Sequence, residues 1–189
     1  VNGALDAARM VLDAEPDGAN CEPVVNAGRI AIVCHLLRSR PDEALAIADR
    51  LEHLPSRFGT LAFHTALCHA ELGDFETARS QMHELAHHSV AGRVRLEAGT
   101  MLLLLATLAR AEDDIDVARE LLMVSTLRRT TEVYQYSQHV AEQLGIGGEY
   151  RRLAETQRRQ MRHPGWAERH HLDGIAALRN EMVRRNWLD

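Results

Sequence analysis

The sequence predicts an all-α protein built from antiparallel helical hairpins stacked one on the next. Three observations carry this. Apolar residues make up 46% of the 189 residues and aromatics only 4%, so the core is drawn from Ala and Leu, which suits close helix-on-helix contact. A short turn followed by a helix with a small residue near its start recurs along the chain. No segment shows sustained period-two alternation, so no sheet is expected.

The recurring unit lines up four segments: Gly3-Ala4-Leu5-Asp6-Ala7-Ala8, Arg40-Pro41-Asp42-Glu43-Ala44, Gly73-Asp74-Phe75-Glu76-Thr77-Ala78 and Asp113-Asp114-Ile115-Asp116-Val117-Ala118. A fifth, Gly148-Glu149-Tyr150-Arg151-Arg152-Leu153, has Leu where the others have Ala. The key positions 8, 44, 78, 118 and 153 lie 36, 34, 40 and 35 residues apart. Ala66 precedes Ala78 by twelve residues, and Ala106 precedes Ala118 by the same interval. Two helices joined by a tight turn approach closely only where small side chains face each other. Leu72, Leu85, Leu105 and Leu122 are expected to fill the rest of each interface.

Gly-Asp-Phe-Glu-Thr-Ala with this spacing resembles the tetratricopeptide repeat, whose period is 34 residues. The resemblance spans most of residues 1–163, although the family's early Trp, its Leu-Gly pair and its late Pro are largely missing. It implies a right-handed α-α superhelix over 1–163, with 164–189 as a C-terminal capping or linker helix. Degenerate repeats of this kind are typical of MalT-like and LuxR-like bacterial regulators and accompany some diguanylate cyclases. The resemblance therefore implies a cytoplasmic signalling or transcription-regulating protein.

The pattern predicts helices at 3–14, 22–38, 41–53, 57–72, 74–88, 92–111, 114–127, 130–145, 148–163 and 166–187. Pro41 suits a first helical position, with Asp42 and Glu43 favourable to the macrodipole behind it. Pro55 ends one helix and Ser56 caps the next. Gly73 and Gly147 suit left-handed C-terminal caps. The 40-residue interval is met by a longer helix at 92–111, which holds the longest strongly apolar run, Met101 to Ala106. That run is far short of the roughly 20 residues that span a bilayer, so no membrane partner is expected. The opening helix reads as the second half of a hairpin, and the chain as a segment of a longer protein. In 166–187, Trp166, Ile175, Leu178, Met182 and Trp187 supply apolar contacts.

Charge and cysteine usage narrow the function. The net charge is −5, with −8 on 1–148 and +3 on 149–189. All 22 basic residues are Arg, as a GC-rich genome would give, so Arg abundance is poor evidence for nucleic acid. Cys21, Cys34 and Cys68 form no C-x-x-C pair and read as small buried apolar residues in a reducing compartment.

His83-Glu84-Leu85-Ala86-His87 is an H-E-x-x-H match, which on a helix sets two imidazoles one turn apart for zinc with Glu84 as general base. A catalytic zinc needs a third ligand, and Val90 and Arg93 stand where an extended motif would want Gly and His. Glu97 lies only ten residues past His87. Zinc hydrolysis is thus the alternative reading, and His83 and His87 are weak metal candidates. The His170-His171 doublet and Asp113-Asp114-Ile115-Asp116 read as helix starts, and Gly145-Ile146-Gly147-Gly148 as a helix-breaking turn. Arg151, Arg152, Arg158, Arg159 and Arg162 form a basic face at helical spacing, and nucleic-acid binding by 149–189 is the second alternative.

The expectation is therefore a non-enzymatic protein-interaction or ligand-sensing module without cofactor, binding a protein, a peptide or a small effector, with a homodimer as one form. In the repeat register, Asn26, Arg29, Thr60, Phe63, Thr107, Arg110, Gln135 and Gln138 line the concave groove.

Overall fold

The computed structural model describes residues 2–14, 21–52, 54, 60–90, 98–125 and 131–188. These residues form ten helices: α1 (Asn2–Ala14), α2 (Cys21–Leu36), α3 (Pro41–Leu51), α4 (Thr60–Leu72), α5 (Phe75–Val90), α6 (Ala98–Ala111), α7 (Ile115–Val124), α8 (Thr131–Gln143), α9 (Gly147–Gln160) and α10 (Trp166–Arg184). Each expected helix has its counterpart, and no strand occurs among the described residues. Pro55 and Ser56 lie outside the described residues.

One turn, used four times, makes the hairpins. At Arg40, Asp74, Asp114 and Ile146 a backbone N–H donates to the carbonyl five residues back, at 3.0, 3.0, 2.8 and 2.9 Å. The residue before each, Ser39, Gly73, Asp113 or Gly145, has positive φ and donates to the carbonyl three residues back. This paired bonding satisfies the orphan carbonyls of the ending helix. The next helix begins at once, and its first-turn bond returns to the same residue: Ala44 to Arg40, Ala78 to Asp74, Ala118 to Asp114 and Tyr150 to Ile146. The hairpins are therefore α2–α3, α4–α5, α6–α7 and α8–α9. Asn186 makes a fifth such turn after α10, where Trp187 N–H reaches Met182 O at 2.7 Å.

The shared turn corrects two sequence-based positions. The left-handed cap is Gly145 at φ 75°, while Gly147 is the first residue of α9. The fifth repeat position is Tyr150 rather than Leu153, because Tyr150 makes the bond that Ala44, Ala78 and Ala118 make. Tyr150 is fully buried. The sequence alignment slipped because it followed glycines, and this turn also accepts Ser39 and Asp113.

Packing follows the small side chains. Ala44, Ala66, Ala78, Ala106 and Ala118 are all 0% exposed. Leu85, Leu105 and Leu122 are buried as expected, but Leu72 is 43% exposed because it is the last residue of α4, where the chain reverses. Gly28 in α2 serves close approach: a Cβ there would collide with the Leu51 side chain of α3. Leu5, Ala8 and Leu12 bury one face of α1, which packs on α2.

Successive hairpins stack through α2, α4, α6 and α8, which touch in order. The outer helices bridge them, as α3 touches α4, α5 touches α6 and α7 touches α8. In addition α2 meets α8 directly, so the inner layer closes on itself. The terminal helix turns back over the stack. Its main neighbours are α6, α5 and α7, with Leu178 and Met182 fully buried and Trp166 nearly so. Ile175 and Trp187 are half-buried.

The turns give a paired test. Gly73→Ala should lower stability by about 1 kcal/mol, because a Cβ at positive φ is strained. Ser39→Gly at the equivalent position should be neutral or stabilising, by up to about 0.5 kcal/mol. Thermal and urea unfolding of both variants measure the two signs, and equal losses would contradict the shared turn.

Candidate functional site

The expected groove residues fall into three environments. Phe63 and Thr107 are in the core, at 1% and 0% exposure. Phe63 packs edge-on against His64 at 5.0 Å, and the Thr107 hydroxyl donates to Leu103 O at 3.0 Å. Asn26 and Gln135 are exposed, and Arg29 is half-buried with its guanidinium donating to Asn26 Oδ1 at 3.1 Å. Gln138 Nε2 bonds Glu142 Oε1 at 3.2 Å and Gly147 O at 3.3 Å, tying α8 to the start of α9. Thr60 opens α4, with its side chain outside the described residues. Of the set, Phe63 and Thr107 are therefore in the core and not at a surface.

Arg110 belongs to a polar cluster that joins three inner helices. Glu71 Oε1 accepts from Arg110 Nη2 and from Tyr136 Oη, both at 2.6 Å. Tyr136 is buried, so desolvation and the Glu71 carboxylate push its phenol well above the usual tyrosine range. Tyr150 Oη donates to Ser137 Oγ at 2.9 Å one helix further on. Sequence reasoning missed Glu71 and Tyr136. A signal existed: Glu71 sits in the last turn of α4, where the macrodipole disfavours a carboxylate, so a cation partner was required.

A second cluster fastens α10. Glu181 is 4% exposed and accepts from Arg184 Nε at 2.7 Å and Arg185 Nε at 2.6 Å. Burial alone would raise its pKa, but the hydrogen bonds from Arg184 and Arg185 outweigh this and hold it below the usual carboxylate range. Arg185 also reaches Glu112 Oε2 at 3.4 Å, and Arg79 of α5 donates to Glu112 Oε1 at 2.6 Å. Arg184 lies 3.5 Å from Asp114 Oδ2.

The histidine pair of the H-E-x-x-H segment lies on α5. The Nε2 atoms of His83 and His87 are 3.1 Å apart, with ring centroids at 4.5 Å. His83 and Glu84 are exposed and His87 is half-buried. Trp187 meets His83 edge-on at 5.4 Å. Among the described residues, no group of three His, Cys, Asp or Glu side chains is arranged to hold a metal ion. Glu97 lies outside the described residues.

On α9, Gly147, Tyr150 and Ala154 are buried, while its four arginines and Arg162 in the turn just beyond are on the surface. Arg151, Arg152, Arg158, Arg159 and Arg162 are all exposed. Arg151 Nε bonds Gly147 O at 3.3 Å, and Arg158 lies over the Tyr134 ring at 5.0 Å. Among the described residues none of the five pairs with a carboxylate. Exposed Met161 lies at the end of this face.

Cys34 and Cys68 are buried and are not joined in a disulfide. Burial, with Asp49 and Glu71 nearby, pushes Cys68 up to about 12, so it is protonated and unreactive near neutrality. The Cys21 side chain lies outside the described residues. Among the described residues no helix is long and apolar enough to cross a membrane.

These features define an all-helical protein of sequentially paired helices with its polar chemistry at helix ends and on outer faces. No family model, curated protein or solved structure matches the chain.

The inner cluster yields a stability prediction. Tyr136→Phe should cost about 1–2 kcal/mol, because Glu71 loses a donor in a mostly buried place. In wild-type protein the Tyr136 phenolate should appear only on unfolding, as followed by ultraviolet absorbance in an alkaline titration. Ionisation of all three tyrosines in the folded state would contradict the cluster.

Proposed function

We propose that this chain is a non-catalytic, tetratricopeptide-like interaction module that engages an acidic segment of a partner protein through the outer face of α9. The observation that carries this reading is the set of four exposed arginines on α9, with Arg162 just past its end, lacking carboxylate partners among the described residues. Elsewhere, Arg79, Arg110, Arg184 and Arg185 are spent on carboxylates within the fold. The α9 arginines are free to make bidentate contacts with Asp and Glu side chains. Met161 and the Tyr134 ring beneath Arg158 add apolar surface beside them.

The repeated turn supports the kinship with tetratricopeptide hairpins, and the contact of α2 with α8 fits a right-handed superhelix wound so tightly that its inner surface is filled. In this reading recognition moves from the groove to the outer helices. The resemblance supports a regulatory role in a larger bacterial signalling or transcription protein, in the cytoplasm.

Phosphate backbones would meet the same arginines, but Glu149 and Glu155 interrupt the face, which favours a segment with discrete acidic side chains. Fluorescence anisotropy with an Asp/Glu-rich peptide and with duplex DNA at low salt separates the two. The peptide should bind more tightly than the duplex, and joint Arg152→Glu and Arg159→Glu replacement should weaken it about tenfold or more, as should added salt. Tighter binding to the duplex, or no binding to either, would overturn the proposal.

A further inference from the structure

His83 and His87 are separated by one turn of α5, and their Nε2 atoms face each other at 3.1 Å. Two N–H groups cannot point at one another, so without a metal one ring donates to the lone pair of the other. With both protons on Nδ1, the same spacing leaves two Nε2 lone pairs within reach of one ion. At a typical metal–nitrogen distance of about 2.05 Å, a 3.1 Å separation subtends roughly 100° at the metal. This lies between the cis angle of a square-planar or octahedral ion and the tetrahedral angle. α5 need not move to supply it.

We propose that His83 and His87 form a two-imidazole chelate for a borderline divalent ion of the Cu2+, Ni2+ and Zn2+ class, and that its occupancy is sensed at Trp187. Imidazole nitrogen suits these ions and not Mg2+ or Ca2+. His83 is exposed, so the remaining coordination positions open to water or to a donor from another molecule. The fold walls the site on one side. Trp187 stands edge-on to His83 at 5.4 Å, its backbone N–H donating to Met182 O at 2.7 Å and Arg185 lying 5.5 Å from its ring. Arg185 in turn is fixed by Glu181 and Glu112. An ion on the pair therefore sits beside a positioned indole, at a junction of α5 with the segment that closes α10. With two protein ligands and open positions, the site is a binding clamp and not the three-ligand centre that zinc hydrolysis needs.

The test uses the full chain stripped with EDTA and titrated with Cu2+ while tryptophan emission is followed, with Ni2+ and Zn2+ binding measured by calorimetry. Trp166 needs a control, because His170 lies 4.1 Å from its ring. Wild-type protein should bind one ion per chain with saturable quenching, and Mg2+ should leave emission unchanged. His83→Ala and His87→Ala should each raise the half-quenching concentration at least about tenfold, while His170→Ala should leave it unchanged. Both alanine replacements favour helix, so folding is retained, and matching circular dichroism melts verify this. Quenching that survives in both α5 variants, that disappears with His170→Ala, or that never occurs in wild-type protein would overturn the proposal.

Discussion

The structure depends on the enclosure of α6. This helix reads Ala98-Gly99-Thr100-Met101-Leu102-Leu103-Leu104-Leu105-Ala106-Thr107-Leu108-Ala109-Arg110-Ala111, apolar on every side until its last turn. A helix apolar all round is stable in water only if other helices cover every face. Here α4, α5, α7, α8 and α10 do so, and every residue from Met101 to Ala109 is buried. Each fully buried leucine contributes roughly 1.5–3 kcal/mol, against about 0–1 kcal/mol for an exposed ion pair. Burial of α6 therefore decides the architecture, and the surface charges adjust to it. The return of α10 follows, since α6 would otherwise present leucine to solvent.

Polar clusters settle the register of that packing. Glu71 and Glu112 both lie at C-terminal ends of inner helices, where a carboxylate is unfavourable unless a cation answers it. Arg110 and Tyr136 answer Glu71, linking α4, α6 and α8. Arg79 and Arg185 answer Glu112, linking α5 and α10 to the end of α6. Each cluster is satisfied only when the helices that share it are correctly aligned. Removal of one partner leaves a charge in a poorly hydrated place.

The helices were legible in the sequence because the signals that start and stop them are local. Pro41 begins α3 and Gly73 ends α4 as expected. The errors also have local causes. Gly145 and not Gly147 holds the positive φ, since glycines two residues apart in one turn are equivalent on paper. Leu153 takes the place of Tyr150 when Gly148 is aligned with the turn glycine, a position that Gly145 holds. The groove set was harder to read. Repeat register separates inner from outer helices, yet the contact of α2 with α8 joins helices far apart in the sequence, which no local pattern signals. Phe63 and Thr107 were consequently expected at a surface and lie in the core. The proximity of His83 to His87 followed from their spacing, whereas the approach of Trp187 depends on where α10 comes to rest.

Native-state hydrogen exchange resolved by residue tests the enclosure of α6 most directly. Amides from Met101 to Ala109 should exchange only through global unfolding, with protection equal to the full unfolding free energy and greater than that of α1 or α9. Exchange of α6 amides through local opening, at rates matching those outer helices, would contradict the account.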